Sequence, residues 1–158
     1  MKPSINALQL IKNREQCKLT SYKLAGEKYY TIGYGHHCDG THPWDKQLNR
    51  AGAKINQAQA DELLMWNLND KVEAIKSGIK VPIPQNLFDA LVSMVYQYNP
   101  SNSYVKAIFR AINLGYPMDA LANMFNTMPG VSFNKKARKA DSILFTLGKV
   151  VNLQTLRV

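Results

Sequence analysis

The sequence predicts an α+β fold that is mostly helical, with a small β-containing lobe and a larger helical body. Residues 20–34 are rich in Thr, Tyr and Ile around the segment AGEK at 25–28, as expected of a β-hairpin and its turn. After residue 56, apolar residues recur at spacings of three and four, the period of amphipathic helices. The first of these helices, at about 56–78, has a length of about 33 Å. It could therefore join the lobe to the helical body.

A shorter helix is predicted before the hairpin, at residues 4–16. Its apolar stripe consists of Ile5, Leu8 and Ile11. Glu15 continues this stripe four residues further on, so its carboxyl group is expected on the apolar face. A carboxylic acid partly removed from water can stay protonated near neutrality, as a general acid must. The alternative is a solvated Glu at a frayed helix end, paired with Lys12 or Lys18.

The segment after the hairpin, residues 36–54, is predicted to be a loop. Its residues with metal-binding side chains are His36, His37, Cys38, Asp39 and His42. Zinc is worth considering, but adjacent side chains point apart in an extended chain, and the segment has no CxxC or HExxH spacing. We therefore expect polar loop residues here, with no metal and no cofactor.

Further helices are expected between the long helix and residue 148. Asn56 and Gln59 resemble a capping box at the start of the long helix. The residues expected inside the later helices are Leu87, Leu91, Met94, Val95 and Tyr98; Val105, Ile108, Phe109 and Ile112; Leu121, Met124 and Phe125; and Ala137, Ala140, Ile143, Leu144 and Leu147. Pro117 is expected at the first position of a helix, and Gly148 just beyond the end of the last one.

The composition favours an anionic partner. Lys and Arg number 20 against 11 Asp and Glu, a formal charge of +9, which attracts nucleic acid, an anionic cell envelope or acidic lipid. The alternative is that the charge only keeps the protein soluble. No apolar run of about 18 residues occurs, so no stable membrane insertion is expected, and the N-terminus lacks a clear signal-peptide core. Cys17 and Cys38 are expected to be free thiols.

The densest positive cluster lies near the C-terminus. It consists of Lys135, Lys136, Arg138 and Lys139. The simplest interpretation is a solvated helix end. As a nucleic-acid site the cluster lacks interleaved aromatic residues and a recognised motif, so no specific nucleic acid is expected. Glycans with anionic substituents would suit the cluster equally well.

Four segments carry a resemblance to a known family. The first is TIGYGH at residues 31–36, which follows a helix-borne Glu and a Tyr in the hairpin, Tyr22. The other three are INQAQADELLMWNL, which begins at Ile55, LFDALVSMVYQYN, which begins at Leu87, and NKKARKADSILF, which begins at Asn134. In this order they resemble the phage-type lysozymes, the endolysins of glycoside hydrolase family 24, over roughly residues 5–147.

The resemblance implies a single lysozyme-like domain. It would have an N-terminal lobe at about 12–56, a connecting helix at about 56–78, and a C-terminal helical lobe at about 79–158 that also contains helix 4–16. The implied activity is hydrolysis of the β-1,4 bond between N-acetylmuramic acid and N-acetylglucosamine in peptidoglycan. Such an enzyme is expected to be a monomer that accumulates in the cytoplasm of the producing bacterium and reaches the wall after another protein permeabilises the membrane.

The resemblance also assigns the catalytic residues. Glu15 matches the acid that donates a proton to the leaving oxygen, and Thr31 matches the threonine that assists nearby. Leu24 stands where a second carboxylate is expected, although glycoside hydrolysis generally needs an acid and base pair. The hairpin is one residue longer than the family pattern, and a different strand pairing would bring Glu27 into the site. The alternative is that Glu27 is a solvated residue at the tip of the turn. Asp39 is a weaker substitute because it lies beyond the motif.

Further residues are expected to contact the substrate or support the site. Gln97 matches a sugar-contacting position on the central helix, although a helix-surface role is an equal alternative. Tyr34 lies between Gly33 and Gly35, where the backbone can approach a ligand closely. Lys135 or Lys136 falls near a basic residue that pairs with the catalytic Glu in the family. The resemblance gives His36 a structural role, in which it fixes the loop after the hairpin by hydrogen bonding.

Three hypotheses follow from the sequence. The first is a metal-independent muramidase that uses Glu15 and Thr31. The second is a lysozyme fold that binds peptidoglycan or another glycan without efficient turnover, because Leu24 replaces the carboxylate. The third is a nucleic-acid binder, which would show steeply salt-dependent affinity for duplex DNA.

Overall fold

The computed structural model describes residues 1–157 and divides into two compact units. One unit comprises Met1–Arg14 and the chain from Asp70 onward, and the other is Glu15–Asn69. The helices are α1 Ile5–Arg14, α2 Asp45–Leu48, α3 Gln57–Gly78, α4 Gln85–Gln97, α5 Ser103–Asn113, α6 Met118–Asn126 and α7 Ser132–Leu147. The strands are β1 Lys18–Tyr22, β2 Thr31–Gly33 and β3 His36–His37, and a 3₁₀ helix spans Leu153–Thr155. The predicted single-domain organisation stays a prediction.

The Glu15–Asn69 unit is built on a small antiparallel sheet with the strand order β1-β2-β3. β1 pairs with β2 through Lys18 opposite Gly33 and Tyr22 opposite Thr31, with an irregularity between these pairs. β2 pairs with β3 through Thr31 opposite His37. The antiparallel pairing of β1 with β2 confirms the predicted β-hairpin. The sheet also contains a third strand, β3, which was not predicted.

Two sequence predictions about this unit are wrong in detail. The segment 36–54 is not wholly a loop, because it contains β3 and the short helix α2. Helix α1 ends at Arg14, so Glu15 lies just beyond the helix and the helical-phase argument for its carboxylate does not apply. Glu15 is nevertheless half-buried.

Helix α3 begins with the predicted capping box. The backbone N–H of Gln59 donates to Asn56 Oδ1 at 2.8 Å, and the N–H of Asn56 donates to Gln59 Oε1 at 2.9 Å. These reciprocal bonds satisfy two N–H groups that the first turn of a helix leaves without backbone partners. The long helix was therefore predicted from sequence within one residue at its start.

The other unit is a bundle in which α4 packs against α1 and α7, and α6 packs against α7. Residues 87–95 of α4 are all buried, including Asp89 and Ser93. Such a helix is the central element of a core. Ser4 caps α1 by accepting the N–H of Asn6 at 3.2 Å, and its own N–H donates to Asp89 Oδ1 at 2.9 Å.

Several side chains depart from their predicted burial. Ile5 is 77% exposed, because the buried face of α1 consists of Ala7, Leu10 and Ile11. Leu147 is 65% exposed, because the buried face of α7 includes Ala137, Ala140 and Leu144. Pro117 is the N-cap of α6, one residue before the predicted position. Gly148 ends α7 with a φ of +68°, as expected of a glycine cap.

Among residues 1–157, no helix has the length and apolar character needed to cross a bilayer.

Gly78→Ala is expected to destabilise the bundle. A Cβ at this last residue of α3 would lie 2.5 Å from Phe109 Cδ2 and 2.7 Å from Cε2, and the rigid ring of a helix residue cannot yield without moving α5. Overpacking of this kind costs about 1–3 kcal/mol, which exceeds the gain of about 0.5–1 kcal/mol from replacing a helical Gly. Urea unfolding would measure the loss, with the exposed neighbour Ser77→Ala as control. An unchanged or raised midpoint would contradict the expectation.

Candidate functional site

Thr31 occupies the first position of β2 in the small sheet. Its side chain is 4% exposed, and its Oγ1 lies 3.2 Å from His37 Nδ1 on the neighbouring strand. The strand pairing fixes both residues, so the hydroxyl has a defined direction. The roles of donor and acceptor between Thr31 and His37 follow the tautomer of the His37 ring.

The hairpin turn brings the Glu27 carboxylate to the backbone of Leu24. The N–H of Glu27 donates to the carbonyl of Leu24 at 3.1 Å, and Gly26 between them has a φ of +85° that favours glycine. Glu27 Oε2 in turn accepts the N–H of Leu24 at 3.1 Å. The Leu24 side chain is 62% exposed. The carboxylate of Glu27 is therefore held at the backbone of residue 24.

Tyr34 is placed in the turn between β2 and β3. Gly33 and Gly35 on either side have φ values of +66° and +83°. The Tyr34 side chain is only 8% exposed, and its hydroxyl accepts a hydrogen bond from Gln57 Nε2 at 2.9 Å. The ring thus packs against the start of α3, and its predicted contact with substrate stays a prediction.

His36 makes the loop-fixing hydrogen bonds expected of it. Its Nε2 lies 2.6 Å from Asp45 Oδ1, and its Nδ1 lies 3.1 Å from Asn67 Oδ1 and 3.0 Å from Asn67 Nδ2. The other carboxylate oxygen of Asp45 accepts the N–H groups of Gly40 and His42 at 3.0 and 2.9 Å. His36 and Asp45 therefore hold β3, the loop after it and α2 together.

Two neighbouring groups have shifted pKa values. Burial raises the pKa of the Cys38 thiol to about 11, with smaller contributions from the carboxylates of Asp45 and Asp39. The hydroxyl and the backbone N–H of Thr41 hold the pKa of the Asp39 carboxyl below its usual value. Asp39 accepts both bonds on Oδ1, at 2.8 and 3.1 Å. Its carboxylate thus caps the following loop.

Gln97 and Lys135 belong to the bundle unit. Gln97 is the last residue of α4, and its Nε2 lies 3.5 Å from Asn134 Oδ1, next to Lys135 in the first turn of α7. Gln97 Oε1 is buried and has no hydrogen-bond partner among the described residues. Lys135 is exposed. The fold thus brings Gln97 near the Lys135 segment, and their roles toward a glycan stay predictions.

The bundle also holds a buried charge network that the sequence interpretation missed. Arg14 donates from Nη1 to Ser93 Oγ and from Nη2 to the Ser93 carbonyl, both at 2.6 Å. Ser93 Oγ donates to Asp141 Oδ1 at 2.5 Å, and Arg138 Nε donates to Asp141 Oδ2 at 2.7 Å. Arg138 is 1% exposed. The interpretation of its cluster as a solvated helix end is therefore wrong for Arg138, because Asp141 pairs with it inside the bundle.

A sequence signal for this network did exist. Ser93 interrupts the apolar run of the central helix, and Asp141 follows Ala137 and Ala140 on the apolar stripe of α7. Polar residues at core positions are expected to be hydrogen-bonded. Their phase predicts burial, but it does not reveal which side chains pair with them.

Comparison with known proteins identifies the fold. The sequence pattern of the phage lysozyme family matches residues 12–139. The endolysin of Bacillus phage B103 is 32% identical over 152 residues, which is 92% of this chain and 54% of the relative. The chain spans about half or less of the length of the curated endolysins from Bacillus and Lactococcus phages that it matches.

Two solved structures are similar in fold. A variant of P22 lysozyme superposes with a TM-score of 0.75 at 26% identity, covering 92% of this chain and 98% of that one. The muramidase domain of SpmX from Asticaccaulis excentricus gives a TM-score of 0.69 at 26% identity, with 92% and 97% covered. The mostly helical, lysozyme-like fold predicted from sequence is thereby confirmed.

Proposed function

The chain belongs to the phage lysozyme family, and on this premise we propose that it hydrolyses the β-1,4 bond between N-acetylmuramic acid and N-acetylglucosamine in bacterial peptidoglycan. The observation that carries the proposal is the family match over residues 12–139, which includes Glu15 and the whole TIGYGH segment. The protein would act on the wall as a monomer, and the hydrolysis itself would use no cofactor.

Glu15 would be the general acid of this reaction. Its carboxylic acid proton moves to the glycosidic oxygen as the bond from the anomeric carbon breaks, and the sugar develops oxocarbenium character. Water then adds to the anomeric carbon and gives its proton to a carboxylate. In retaining enzymes that second carboxylate attacks directly instead. Either route needs two acidic groups, of which Leu24 removes the expected second one.

Glu27 would supply the second carboxylate. Its Oε2 is fixed by the N–H of Leu24 at 3.1 Å, so the charge sits beside the residue that the family pattern expects to be acidic. Thr31, held in β2 next to His37, would orient the water. This arrangement replaces a side chain at residue 24 with one that folds back from the turn three residues later.

Product analysis tests the activity itself. Purified protein is incubated with purified peptidoglycan across pH 4 to 9, and reducing ends and fragments are identified by mass spectrometry. Muramidase cleavage yields new reducing N-acetylmuramic acid ends, whereas free amino groups without reducing ends would indicate peptide or amide cleavage. The absence of new reducing N-acetylmuramic acid ends would overturn the proposed hydrolysis.

Glu27→Gln is expected to lower kcat for peptidoglycan by about 10²-fold, the lower range for loss of a general acid or base. Gln retains an oxygen that can accept the Leu24 N–H, so the turn is preserved while the charge is lost. The exposed Glu62→Gln on α3 is the matched control, and initial rates of reducing-end release are the measurement. Full activity in Glu27→Gln would show that the second carboxylate lies elsewhere.

Leu24→Asp in the Glu27→Gln background extends this test. The new carboxylate stands where the family pattern expects one, so partial recovery of kcat is expected if the two positions serve one role. Leu24→Asn in the same background controls for polarity without charge. Equal rates for the Asp and Asn variants would contradict a shared role.

A second candidate function is glycan binding with little turnover. The observation that favours it is Leu24 itself, which is 62% exposed and cannot take part in proton transfer. This candidate predicts co-sedimentation with peptidoglycan without release of reducing ends, and a gain of turnover in Leu24→Asp alone. Robust turnover by the parent protein would eliminate it.

A further inference from the structure

A group of potential metal ligands is formed by residues that have no role in the proposed hydrolysis. His36 Nε2, Cys38 Sγ and a carboxylate oxygen of Asp45 all lie within 4.8 Å of one another, and all three residues are buried. We propose that this group, the His36–Cys38–Asp45 site, binds one divalent cation of the zinc class, which revises the expectation from sequence that the segment holds no metal. The proposal does not depend on the proposed function.

The donor set selects the class of ion. Imidazole nitrogen, thiolate sulfur and carboxylate oxygen are the ligands of Zn²⁺ in proteins, whereas Mg²⁺ and Ca²⁺ prefer oxygen alone. Three protein ligands leave the fourth tetrahedral position to water. That water has room, because Cys38 and Asp45 line a cavity of about 360 Å³ that is open to solvent.

The required movement is on the order of 1 Å, because the three ligand atoms already lie within 4.8 Å of one another. Bond lengths near 2.1 Å for Zn–N and Zn–O and 2.3 Å for Zn–S place tetrahedral ligands about 3.3–3.6 Å apart. His36 Nε2 and Asp45 Oδ1 now lie 2.6 Å apart across a hydrogen bond, so they must separate by less than about 1 Å. The cation takes the place of the proton between them.

The contacts around the ligands suit this exchange. Asn67 presents Oδ1 at 3.1 Å and Nδ2 at 3.0 Å to His36 Nδ1. When the ring proton moves from Nε2 to Nδ1, Asn67 Oδ1 can therefore accept a hydrogen bond from the Nδ1–H group. Asp45 Oδ2 keeps the N–H groups of Gly40 and His42 while Oδ1 binds the ion. Metal-binding His and carboxylate groups are usually held by such outer contacts. Binding also releases the thiol proton of Cys38 to solvent.

Cobalt titration tests the site. The 158-residue chain, stripped with a chelator, is titrated with Co²⁺, whose thiolate charge-transfer and tetrahedral d–d absorption report both sulfur ligation and geometry. We expect saturation at one equivalent, loss of the charge-transfer band on adding Zn²⁺, and no band in Cys38→Ser or Cys38→Ala. Cys17→Ser, which alters the half-buried cysteine of the same unit, should keep the full band.

Asn67→Ala supplies an independent measurement. Loss of an outer partner typically weakens metal affinity by 10-fold to 100-fold, so about 10-fold weaker Zn²⁺ binding is expected in competition with a chromogenic chelator. No charge-transfer band in the parent would overturn the proposal, whatever the variants do. A band that survives in both Cys38 variants, or that disappears in Cys17→Ser, would also overturn it.

Discussion

Glu15→Gln is expected to lower kcat for peptidoglycan hydrolysis by at least about 10²-fold and up to about 10⁴-fold, the range for loss of a general acid. The amide has nearly the same shape, but it cannot donate a proton to the leaving oxygen, so the glycosidic bond must break with an unprotonated leaving group. Binding of the glycan should change much less, because the substitution removes an interaction made mainly in the transition state. Reducing-end release at saturating peptidoglycan, together with co-sedimentation, separates the two effects.

The matched control for this prediction is Glu73→Gln. The Glu73 side chain is 66% exposed on α3, so the same chemical change there should leave kcat unaltered. Circular dichroism and the unfolding midpoint should be the same for both variants and the parent. If Glu15→Gln cleaves peptidoglycan as fast as the parent, the assignment of the general acid is wrong even though the family membership stands.

Asp141→Asn is expected to destabilise the bundle by about 3–5 kcal/mol, the cost of removing one partner of a buried ion pair. Asp141 accepts hydrogen bonds from Ser93 and from Arg138, and one of its oxygens lies 4.0 Å from Arg14 Nη1. Arg138 and Asp141 are 1% and 0% exposed. Without the carboxylate, the buried Arg138 guanidinium would lose its ion-pair partner, because Asn preserves shape but not charge.

Urea unfolding measures this loss. For a chain of this size, each kcal/mol corresponds to about 2–4 °C in Tm, so a Tm drop of roughly 10 °C is expected in parallel. Asp70→Asn, an exposed position on α3, should shift the midpoint little. A change below about 1 kcal/mol for Asp141→Asn would contradict the network as a stabilising unit, since exposed ion pairs contribute no more than that.

The surroundings of the Arg138 guanidinium explain why the charge of Asp141 is expected to matter for stability. Nη1 and Nη2 are buried and have no hydrogen-bond partner among residues 1–157. The guanidinium carbon lies 5.2 Å from the centre of the Tyr98 ring, where a cation is attracted to the face of the ring. Asp141 is the carboxylate that neutralises it directly. The two interactions together hold a cation that would otherwise be costly to bury.

The elements that sequence reasoning predicted well depend on short-range patterns. The capping box of Asn56 and Gln59, the buried stripe of Leu121 and Phe125 and the cap at Gly148 are all confirmed. Each involves residues no more than four apart or a single backbone conformation. Spacing alone therefore specifies them.

The predictions that were wrong concern where one element ends or meets another. Leu147 continues the apolar period of α7, yet it is 65% exposed because the buried face is already complete at Leu144. β3 contains only His36 and His37, too few residues to show a strand period. Glu15 does not continue the apolar stripe of α1, because this helix ends at Arg14, one residue before it.

The sequence by itself determined the order of the longer helices, the β-hairpin, the family resemblance and the replacement of a carboxylate by Leu24. Those features depend on residues close together in the sequence, whose spacing sets the helix period, the helix caps and the turns. Only the tertiary structure decided that Arg14 binds Ser93, 79 residues away, that Ser93 binds Asp141, 48 residues away, and that the Glu27 carboxylate folds back to Leu24. Each buried polar group needs a hydrogen-bond partner. Tertiary packing decides which partner it has, because in the low-dielectric interior only groups that the fold brings into contact stabilise one another.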